Sequence, residues 1–244
     1  MKILIVVSNY NEEKEITNTI NDIKDNSTID ADLLIIDNCS QDKSIELVKE
    51  SKVEYIQHPV NSGSGGGVIK TAFLYSYLMD YDIYCHLDGD NQHSAEFLNE
   101  LIAPIMKDEA DIIIGSRFIK KEGFQSLFLR RIGIRTFSKL LSWITKNSIT
   151  DITSGFRAYS RKAIVFFGKQ YKHEFEVVVQ MIMLCHYANL RIEEVPVIMK
   201  PRLTGKSEIN FKNAIKFPIY GIISIIGTMF QRKQIKELSD GIVC

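Results

Sequence analysis

Two aspartates stand two residues apart in the segment HLDGDNQH (residues 86–93), directly after an apolar run. Residues i and i+2 at a strand end project to the same side, so the carboxylates of Asp88 and Asp90 are expected to lie close together. Neighbouring carboxylates repel each other unless a cation lies between them. Oxygen ligands suit Mg²⁺ or Mn²⁺, and Gln92 could add a neutral oxygen. The pattern predicts a metal site open to phosphate oxygens, the alternative being a solvated Asp-Gly turn.

Polar residues also follow the other strand-like runs of the chain. They are SNYNEE (8–13) after the first run, DNCS (37–40) after the second and SR (116–117) after the fifth. In open α/β sheets, ligands bind beyond the carboxyl ends of the strands. We therefore expect these residues to gather with Asp88 and Asp90 at one edge of a sheet.

A glycine run, NSGSGGG (61–67), follows the third strand-like run. A dinucleotide-binding turn needs the spacing G-x-G-x-x-G after the first strand. Gly63 and Gly65 meet that spacing, but Val68 stands at the third position and the run follows the wrong strand. The pattern argues against NAD binding. It leaves two interpretations, a glycine loop that lets the backbone approach a ligand and a flexible connection.

The second half of the chain contains a polar, turn-like segment, DITSGFR (151–157), and several arginines. Arginine can clamp an anionic group with two parallel hydrogen bonds, although surface arginines need no function. The arginines considered for this role are Arg117, Arg130, Arg131, Arg135 and Arg202. His86 and His93 are interpreted as satisfied core or loop residues and not as catalysts.

Short apolar, β-branched runs alternate with helical patterns through the first half of the chain. This order predicts an α/β fold with a mostly parallel sheet covered by helices on both faces. The predicted strands are Ile3–Val7, Asp32–Asp37, Val53–Gln57, Ile83–Leu87, Asp111–Gly115 and Leu190–Val197. The predicted helices are Glu12–Asp25, Ser44–Ser51, Val68–Met79, Glu96–Met106, Leu127–Thr145 and Phe175–Ala188. We predict one domain over residues 1–210 and a basic, amphipathic or apolar helical tail over 211–244.

The composition is that of an ordinary soluble protein, with 45% hydrophobic and 25% charged residues. The 30 basic and 30 acidic side chains balance, which argues against a nucleic-acid-binding domain. Four widely spaced cysteines argue against a zinc site or a disulfide framework, so we expect a reduced, cytoplasmic protein. The N-terminal apolar run is interpreted as a core strand and not a signal peptide, because no small-residue cleavage site follows it.

The tail combines basic charge with an apolar stretch. Residues 1–199 carry 22 basic and 27 acidic side chains, whereas residues 200–244 carry eight and three. Residues 217–231 hold no charge, but Pro218, Gly221 and Gly227 interrupt them, and a spanning helix needs about 20 apolar residues. We expect peripheral contact with the cytoplasmic face of a membrane, or a homo-oligomer formed through the same residues. The alternative is a helix packed on its own domain.

The order of these motifs resembles family 2 glycosyltransferases of the GT-A fold, and most of all the polyprenyl-phosphate (dolichyl-phosphate) mannosyltransferase-like branch. Seven segments carry the resemblance across residues 1–207, in the family's order. They are VVSNYNEE (6–13), IIDNCSQD (35–42), NSGSGGGVIKT (61–71), HLDGDNQH (86–93), IIGSRF (113–118), DITSGFRAYS (151–160) and EEVPVIMKPRLTGKS (193–207). One such segment is a weak signal, and seven in order are a strong one.

The resemblance implies a UDP- or GDP-linked sugar donor and a divalent metal, Mg²⁺ or Mn²⁺. It assigns the donor nucleotide to Tyr10, Glu12 and Asn38. It assigns the diphosphate and its metal to Asp88, Asp90 and Gln92. It assigns anion contacts to Arg117, Arg131 and Arg202. Ser8 replaces the family's usual proline and Asn38 its commoner aspartate, so the base, uracil or guanine, stays open.

The implied reaction is an inverting, single displacement at the anomeric carbon of the sugar, with Asp90, Arg117 and Asp151 as the expected catalytic residues. A hydroxyl acceptor needs a general base, for which Asp151 is the candidate, whereas a phosphate is already anionic. The arginines and the tail favour a polyprenyl-phosphate acceptor. The alternatives are transfer to a saccharide hydroxyl, a sugar-phosphate nucleotidyltransferase and a non-catalytic nucleotide-sugar-binding module. A nucleotidyltransferase would carry a Gly-rich loop in place of SNYNEE, and a binding module would lack the paired carboxylates.

Overall fold

The computed structural model describes residues 1–63, 66–120, 122–123, 128–170, 177–201 and 211–241, without the side chains of 128–132, 170, 177 and 211–218. The strands are β1 (Ile3–Asn9), β2 (Asp32–Asp37), β3 (Glu54–Gln57), β4 (Ile83–Asp88), β5 (Ile112–Ser116), β6 (Arg157–Ser160) and β7 (Ile192–Pro196). The helices are α1 (Ile16–Asn26), α2 (Ser44–Glu50), α3 (Gly66–Leu78), α4 (Leu98–Met106), α5 (Phe128–Thr145), α6 (Arg161–Gln170), α7 (Val177–Tyr187) and α8 (Phe211–Asp240).

These strands form one sheet in the order β3-β2-β1-β4-β6-β5-β7. All are parallel except β6, which runs antiparallel to β4 and β5. The chain winds outward from β1 through β2 to β3 and then returns to place β4 on the other side of β1. Such a reversal opens a crevice at the carboxyl ends of the two central strands, where α/β proteins bind ligands. The predicted mostly parallel sheet is confirmed.

Each face of the sheet is covered by helices, because the central strands are apolar on both sides. On one face, Leu4 and Val6 pack with residues of α3 and of α5 to α8. On the other face, Ile5 and Val7 pack with residues of α1, α2 and α4. Alternating residues of β1 therefore belong to two different cores, and together they hold the strand ends in place.

Two elements of the second half were not predicted. The polar segment that begins at residue 151 ends in β6, a four-residue strand inserted between β4 and β5. Helix α6 follows it directly and packs beside α3. The strand is too short to show a period of two, and it contains the buried Arg157, which a core strand seldom carries.

The apolar stretch of the tail belongs to one uninterrupted helix, α8, which continues through Pro218, Gly221 and Gly227. It packs beside α7, and its Ile225 and Ile235 join the core. A Cβ at Gly221 would lie 2.5 Å from the Phe137 ring, so the glycine permits close packing against α5. No helix in the described ranges is long and apolar enough to cross a membrane. The division at residue 210 falls outside the described residues and stays a prediction.

Candidate active site

The site lies at the carboxyl edge of the sheet, in the crevice between β1 and β4. Strand register places Ser8 beside Asp88 and Asn9 beside Asp37. Because β6 is antiparallel, its first residue, Arg157, lies near this same edge. Four sequence segments far apart in the chain therefore meet here.

The Asp88 carboxylate is held at the end of β4 with 44% of its side chain exposed. Its Oδ1 accepts a hydrogen bond from the Ser8 hydroxyl at 3.1 Å. Its Oδ2 lies against Gly155, where an added Cβ would approach within 2.6 Å. The glycine is needed because any side chain there would displace the carboxylate. Asp88 is thus fixed from two sides while one side faces solvent.

Two buried imidazoles flank the same carboxylate. The Nε2 atom of His86 lies 3.8 Å from Asp88 Oδ1, and that of His93 lies 3.7 Å from Oδ2. Burial lowers the pKa of His86 to about 4, although the charge of Asp88 opposes this effect, so the ring is neutral at pH 7. The histidines interpreted from the sequence as satisfied core or loop residues therefore lie in contact with the predicted metal site.

Asp90 and Gln92 lie in the turn after β4, and both are half-buried. An Asp90 carboxylate oxygen accepts a hydrogen bond from the Gln92 N–H at 3.2 Å. The side-chain amide of Gln92 donates to the Lys200 carbonyl at 3.2 Å, and the Lys200 N–H donates to the Gln92 carbonyl at 2.9 Å. These bonds join the predicted metal site to the segment after β7.

The oxygen donors of this turn fit a hard divalent cation with open coordination positions. Asp88 and Asp90 supply carboxylates and Gln92 an amide oxygen, all of them types that Mg²⁺ and Mn²⁺ accept. The described part of the chain contains no preformed group of three or more His, Cys, Asp or Glu side chains that could hold a metal ion by itself. A cation here would therefore need further oxygens from a ligand.

The residues predicted to contact the nucleotide lie around the ends of β1 and β2. Asp37 is fully buried and accepts hydrogen bonds from Asn9 Nδ2 at 2.6 Å and from the Ser40 N–H at 3.0 Å. The Glu12 N–H donates to the Ser44 hydroxyl at 2.9 Å. Tyr10 and Glu12 are half-buried. The backbone between β1 and α1 is therefore tied to that between β2 and α2.

Asn38 connects the end of β2 to the loop that follows β3. Its Oδ1 accepts hydrogen bonds from the Ser62 N–H at 3.0 Å and the Ser62 hydroxyl at 2.7 Å. Its Nδ2 donates to the Gly63 carbonyl at 3.0 Å. His58 lies beside them, with Nε2 2.9 Å from the Thr71 hydroxyl. Burial lowers the pKa of His58. Asn38 therefore holds the start of the glycine loop.

Arg117 and Asp151 form a buried ion pair. It lies near the turn of residues 88–92, which carries the predicted metal ligands and is called the metal turn below. Arg117 Nε and Nη2 donate to the two Asp151 oxygens at 2.7 and 2.8 Å, and Nη2 also reaches the Thr153 hydroxyl at 2.8 Å. Burial lowers the pKa of Arg117, but the hydrogen bonds and charge of Asp151, together with the charge of Asp88, raise it above its usual value. The charge of Asp88 is near enough to Arg117 to raise its pKa, so the ion pair lies near the end of β4.

A second polar layer supports this ion pair. The Glu194 carboxylate, on β7, accepts hydrogen bonds from the N–H groups of Thr150 and Asp151, at 2.9 Å each, and from the Thr150 hydroxyl at 2.6 Å. Burial raises the pKa of Glu194, although these hydrogen bonds oppose the rise. Arg157 donates to the carbonyls of Ile152 and Ser154, at 2.8 Å each. The loop before β6 is therefore held at both ends.

Other predicted anion contacts are only partly described. The side chains of Arg130 and Arg131 and the whole of Arg202 lie outside the described residues. Arg135 is exposed, and its guanidinium carbon lies 5.9 Å from the centroid of the Phe118 ring. The guanidinium carbon of Arg117 lies 5.4 Å from the same centroid. The predicted roles of Arg131 and Arg202 stay predictions.

The structure brings together most of the predicted residues and adds several that sequence reasoning missed. Ser8 was noted as a departure from the family pattern, but its contact with Asp88 was not foreseen. His86 and His93 flank the D-x-D motif in the sequence, which is a signal that could have assigned them to the site. For Glu194, 43 residues beyond Asp151, the sequence offers no comparable signal.

Comparison with known proteins agrees with this site. The model of glycosyl transferase family 2 matches residues 4–166. The UDP-N-acetylglucosamine–dolichyl-phosphate N-acetylglucosaminyltransferase of Methanococcus voltae is 28% identical over 214 residues, covering 80% of this chain and 84% of that protein. The undecaprenyl-phosphate mannosyltransferase of Micrococcus luteus is 25% identical over 225 residues, covering 86% of this chain and 88% of that protein.

Among solved structures, glucosyl-3-phosphoglycerate synthase from Mycobacterium tuberculosis in complex with Mn²⁺, UDP-glucose and phosphoglyceric acid has the same fold. Its TM-score is 0.65 at 18% identity, and the match covers 95% of this chain and 79% of that one. The fold is therefore of the GT-A type. Since the family model covers most of the described sheet and the whole D-x-D turn, the chain belongs to glycosyl transferase family 2.

Proposed function

We propose that this glycosyltransferase transfers a sugar from a UDP-sugar to a polyprenyl phosphate, with inversion at the anomeric carbon. The assignment of the acceptor depends on how Asp151 is hydrogen-bonded. Both of its oxygens bind Arg117 inside the protein, so it is poorly placed to remove a proton from a hydroxyl acceptor. A phosphate acceptor is already anionic and needs no base. The names of the relatives from M. voltae and M. luteus support the same acceptor class.

On the donor side, two groups of residues would bind different parts of the nucleotide-sugar. Asp88, Asp90 and Gln92 would hold a divalent cation, Mg²⁺ or Mn²⁺, which when bound neutralises charge on the departing diphosphate. Tyr10, Glu12 and Asn38 would contact the nucleoside. Uracil is favoured because the relative from M. voltae is named for a UDP-sugar and the solved synthase was crystallised with UDP-glucose.

On the acceptor side, Asp151 orients the Arg117 guanidinium beside Asp88 without itself contacting substrate. In this proposal Arg117, with Asp151 as its counter-ion, lies near the point where the acceptor phosphate approaches the sugar. We assign Arg131 and Arg202 to the same phosphate. Arginine suits this task because its planar fork binds phosphate oxygens in pairs.

The acceptor would reach the site from a membrane surface on which the protein rests. Exposed apolar side chains form a stripe along α8 at helical spacing. They are Ile219, Ile222, Ile223, Ile226, Met229 and Phe230. On α5, Trp143 is 80% exposed. The face of α8 turned to the protein carries small or polar residues, among them Gly221, Ser224 and Thr228, so the more apolar face points outward.

Such an outward apolar face is typical of an interfacial helix. Arg232, Lys233 and Lys236 follow the stripe and would meet anionic lipid. We propose peripheral attachment to the cytoplasmic face of a membrane. The competing occupant of the stripe is a second copy of this chain.

Radiolabelled UDP-sugars test the proposed reaction. The full-length protein is incubated with Mn²⁺ and each donor in vesicles that contain either a polyprenyl phosphate or the matching unphosphorylated polyprenol. We expect label in an acid-labile, charged lipid with the phosphate acceptor and none with the polyprenol. Equal transfer to both lipids, or transfer to a saccharide hydroxyl alone, would contradict the proposal. A parallel series with GDP-sugars tests the choice of base.

A further inference from the structure

The two histidines beside Asp88 present defined hydrogen-bonding atoms to it. The Asp88 N–H donates to His93 Nδ1 at 3.1 Å. Because a backbone N–H can only donate, Nδ1 must accept, and in a neutral ring the hydrogen then resides on Nε2. That Nε2–H lies 3.7 Å from Asp88 Oδ2. The ring is 4% exposed and stacks on Phe156 with an interplanar angle of 9°, which fixes its orientation.

For His86 the neighbouring group is the Tyr84 hydroxyl, which can donate or accept a hydrogen bond, so the charge of Asp88 decides the assignment. Residues 84, 86 and 88 of β4 point to one face of the sheet, and the Tyr84 hydroxyl lies 2.5 Å from His86 Nδ1. If Nδ1 carried the hydrogen, Nε2 would turn its lone pair toward the carboxylate 3.8 Å away, which is electrostatically unfavourable. With the Tyr84 hydroxyl as donor, the hydrogen resides on Nε2 and faces Asp88 Oδ1. The Tyr84 hydroxyl thus donates to His86, and the His86 Nε2–H in turn faces Asp88.

We propose that His86 and His93 are positioning residues that hold the Asp88 carboxylate between two imidazole Nε2–H groups and thereby set its orientation toward the cation. This inference rests on the proposed function, since it takes Asp88 as a metal ligand. His86 faces one carboxylate oxygen of Asp88 and His93 faces the other. Ser8 and Gly155 limit movement on the remaining sides.

Imidazoles suit this position for a physical reason. A carboxylate that binds a metal needs donors behind it to fix its orientation. A lysine or arginine there, without a counter-ion such as Asp151 provides for Arg117, would add positive charge next to the cation and oppose its binding. An imidazole with hydrogen on Nε2 supplies the donor without the charge, provided that a partner fixes the tautomer. Tyr84 and the Asp88 N–H are these partners.

The tautomers can be measured on the unmodified protein. Long-range ¹H–¹⁵N spectra of the full chain, labelled with [¹⁵N]histidine and recorded at pH 7.5, distinguish Nε2–H from Nδ1–H rings. We expect hydrogen on Nε2 of both His86 and His93, and the Nε2 resonances to shift when Mg²⁺ and UDP are added together. Nδ1–H in either ring would overturn the proposal. Variants that lack one histidine serve only to assign the signals.

A matched pair of variants tests whether the N–H group itself matters. His86→Gln keeps an N–H near the position of Nε2, and His86→Met has similar size but no donor; both lose the Tyr84 bond. Mn²⁺ affinity is measured in the presence of UDP from the electron paramagnetic resonance signal of free Mn²⁺. We expect His86→Met to weaken affinity about 10-fold or more and His86→Gln to recover most of that loss. Equal losses, or no loss in either variant, would overturn the proposal.

Two further measurements separate this inference from the proposed function. Asp88→Asn should weaken Mn²⁺ binding more than any histidine variant, and if it does not, the metal assignment itself is wrong. If Asp88→Asn does weaken binding and His86→Met does not, the metal assignment stands and the positioning role falls. The melting temperature of each variant is recorded without metal, and its UDP affinity likewise, so that a loss of structure is recognised.

Discussion

Arg117 and Asp151, separated by 34 residues in the sequence, form a two-point ion pair in which Asp151 is fully buried and Arg117 is 8% exposed. The backbone N–H of Arg117 also donates to Asp151 Oδ2 at 3.3 Å. The aspartate predicted as a general base and the arginine predicted as an anion contact therefore hold each other. Their pairing ties the loop before β6 to the end of β5, and it makes the two roles interdependent.

Removing one member of this pair is expected to be costly. Asp151→Asn leaves the Arg117 charge buried without its partner, and such changes cost about 3–5 kcal/mol of unfolding free energy. Urea unfolding at pH 7 measures the loss. Asp108→Asn is the control, because Asp108 is 91% exposed in its ion pair with Arg191 and should cost at most about 1 kcal/mol. If Asp151→Asn kept full stability but abolished transfer, a direct catalytic role for Asp151 would replace the positioning role.

The metal turn gives a second prediction. Asp90→Asn should lower sugar transfer about 100-fold or more, because a bound cation contributes several kcal/mol to stabilising the leaving diphosphate. The fold should be retained, since Asp90 is a half-buried turn residue. Transfer is measured over a Mn²⁺ titration, with Asp80→Asn as control, an exposed carboxylate paired with Arg161. Wild-type turnover by Asp90→Asn would show that the metal assignment is wrong.

Asn38 should affect nucleotide binding through the glycine loop as well as by direct contact. Asn38→Ala removes the acceptor for Ser62 and the donor to Gly63, and we expect UDP affinity to fall by about 1–2 kcal/mol. Asn38→Asp keeps the acceptor for Ser62 and should lose less. Isothermal titration calorimetry with UDP and Mg²⁺ compares the two. Unchanged affinity in Asn38→Ala would remove Asn38 from the nucleotide site.

The edge of the sheet opposite the site offers a test of stability alone. Burial raises the pKa of Asp111, but hydrogen bonds from Arg191 and the charge of Lys162 lower it more strongly, and the net shift is downward. A lowered pKa means that Asp111 stabilises the fold above about pH 4, its ordinary value, and that this contribution fades as pH falls through the lower folded value.

Asp111→Asn should therefore lose about 1–3 kcal/mol at pH 7, the scale of buried hydrogen bonds left unmade. The difference from wild type should shrink below pH 4. Urea unfolding at pH 7, 5 and 3.5 measures it, and UDP affinity should not change. A difference that grows toward low pH would contradict the direction of the shift.

The parallel part of the fold could be predicted because its strands are short apolar runs buried on both faces, and such runs are visible without any partner. Strand β6 could not, because four residues that include the buried Arg157 show no period. The apolar tail was expected to be helical, which the structure confirms, although Pro218 stands inside the helix. Local propensity argues for a break, whereas packing of Ile225 and Ile235 into the core favours one helix.

The candidate site could likewise be predicted only in part. Asp88, Asp90 and Asn38 follow strands, and the strand ends of a parallel sheet meet at one edge, so their gathering could be predicted. The contacts of Asp88 with Ser8, His86 and His93 depend on strand register and on side-chain orientation across β1 and β4. The pairing of Arg117 with Asp151 depends on the position of a loop that sequence pattern does not determine. Residue types and their spacing in the sequence therefore indicate which residues meet, but not which atoms bind each other.

The apolar stripe of α8 gives the last prediction. Because Ile225 and Ile235 of α8 belong to the core, truncating the tail would expose the protein interior, so point variants of the full chain are the better test. The double variant Ile226→Glu/Phe230→Glu places two charges where the stripe would enter lipid; Phe230 is 86% exposed, so the fold should tolerate it. Leu78→Glu, on an exposed apolar residue of α3 outside the stripe, is the matched control.

Flotation with anionic vesicles at low salt measures attachment. We expect wild type and Leu78→Glu to float and the α8 double variant to stay at the bottom, because charges resist burial in the acyl region. Higher salt should reduce flotation of wild type, since screening weakens the attraction of Arg232 and Lys233 to anionic lipid. If wild type fails to float and sediments as a dimer that the double variant converts to a monomer, the stripe is an interface between two copies of the chain and not a membrane-binding surface.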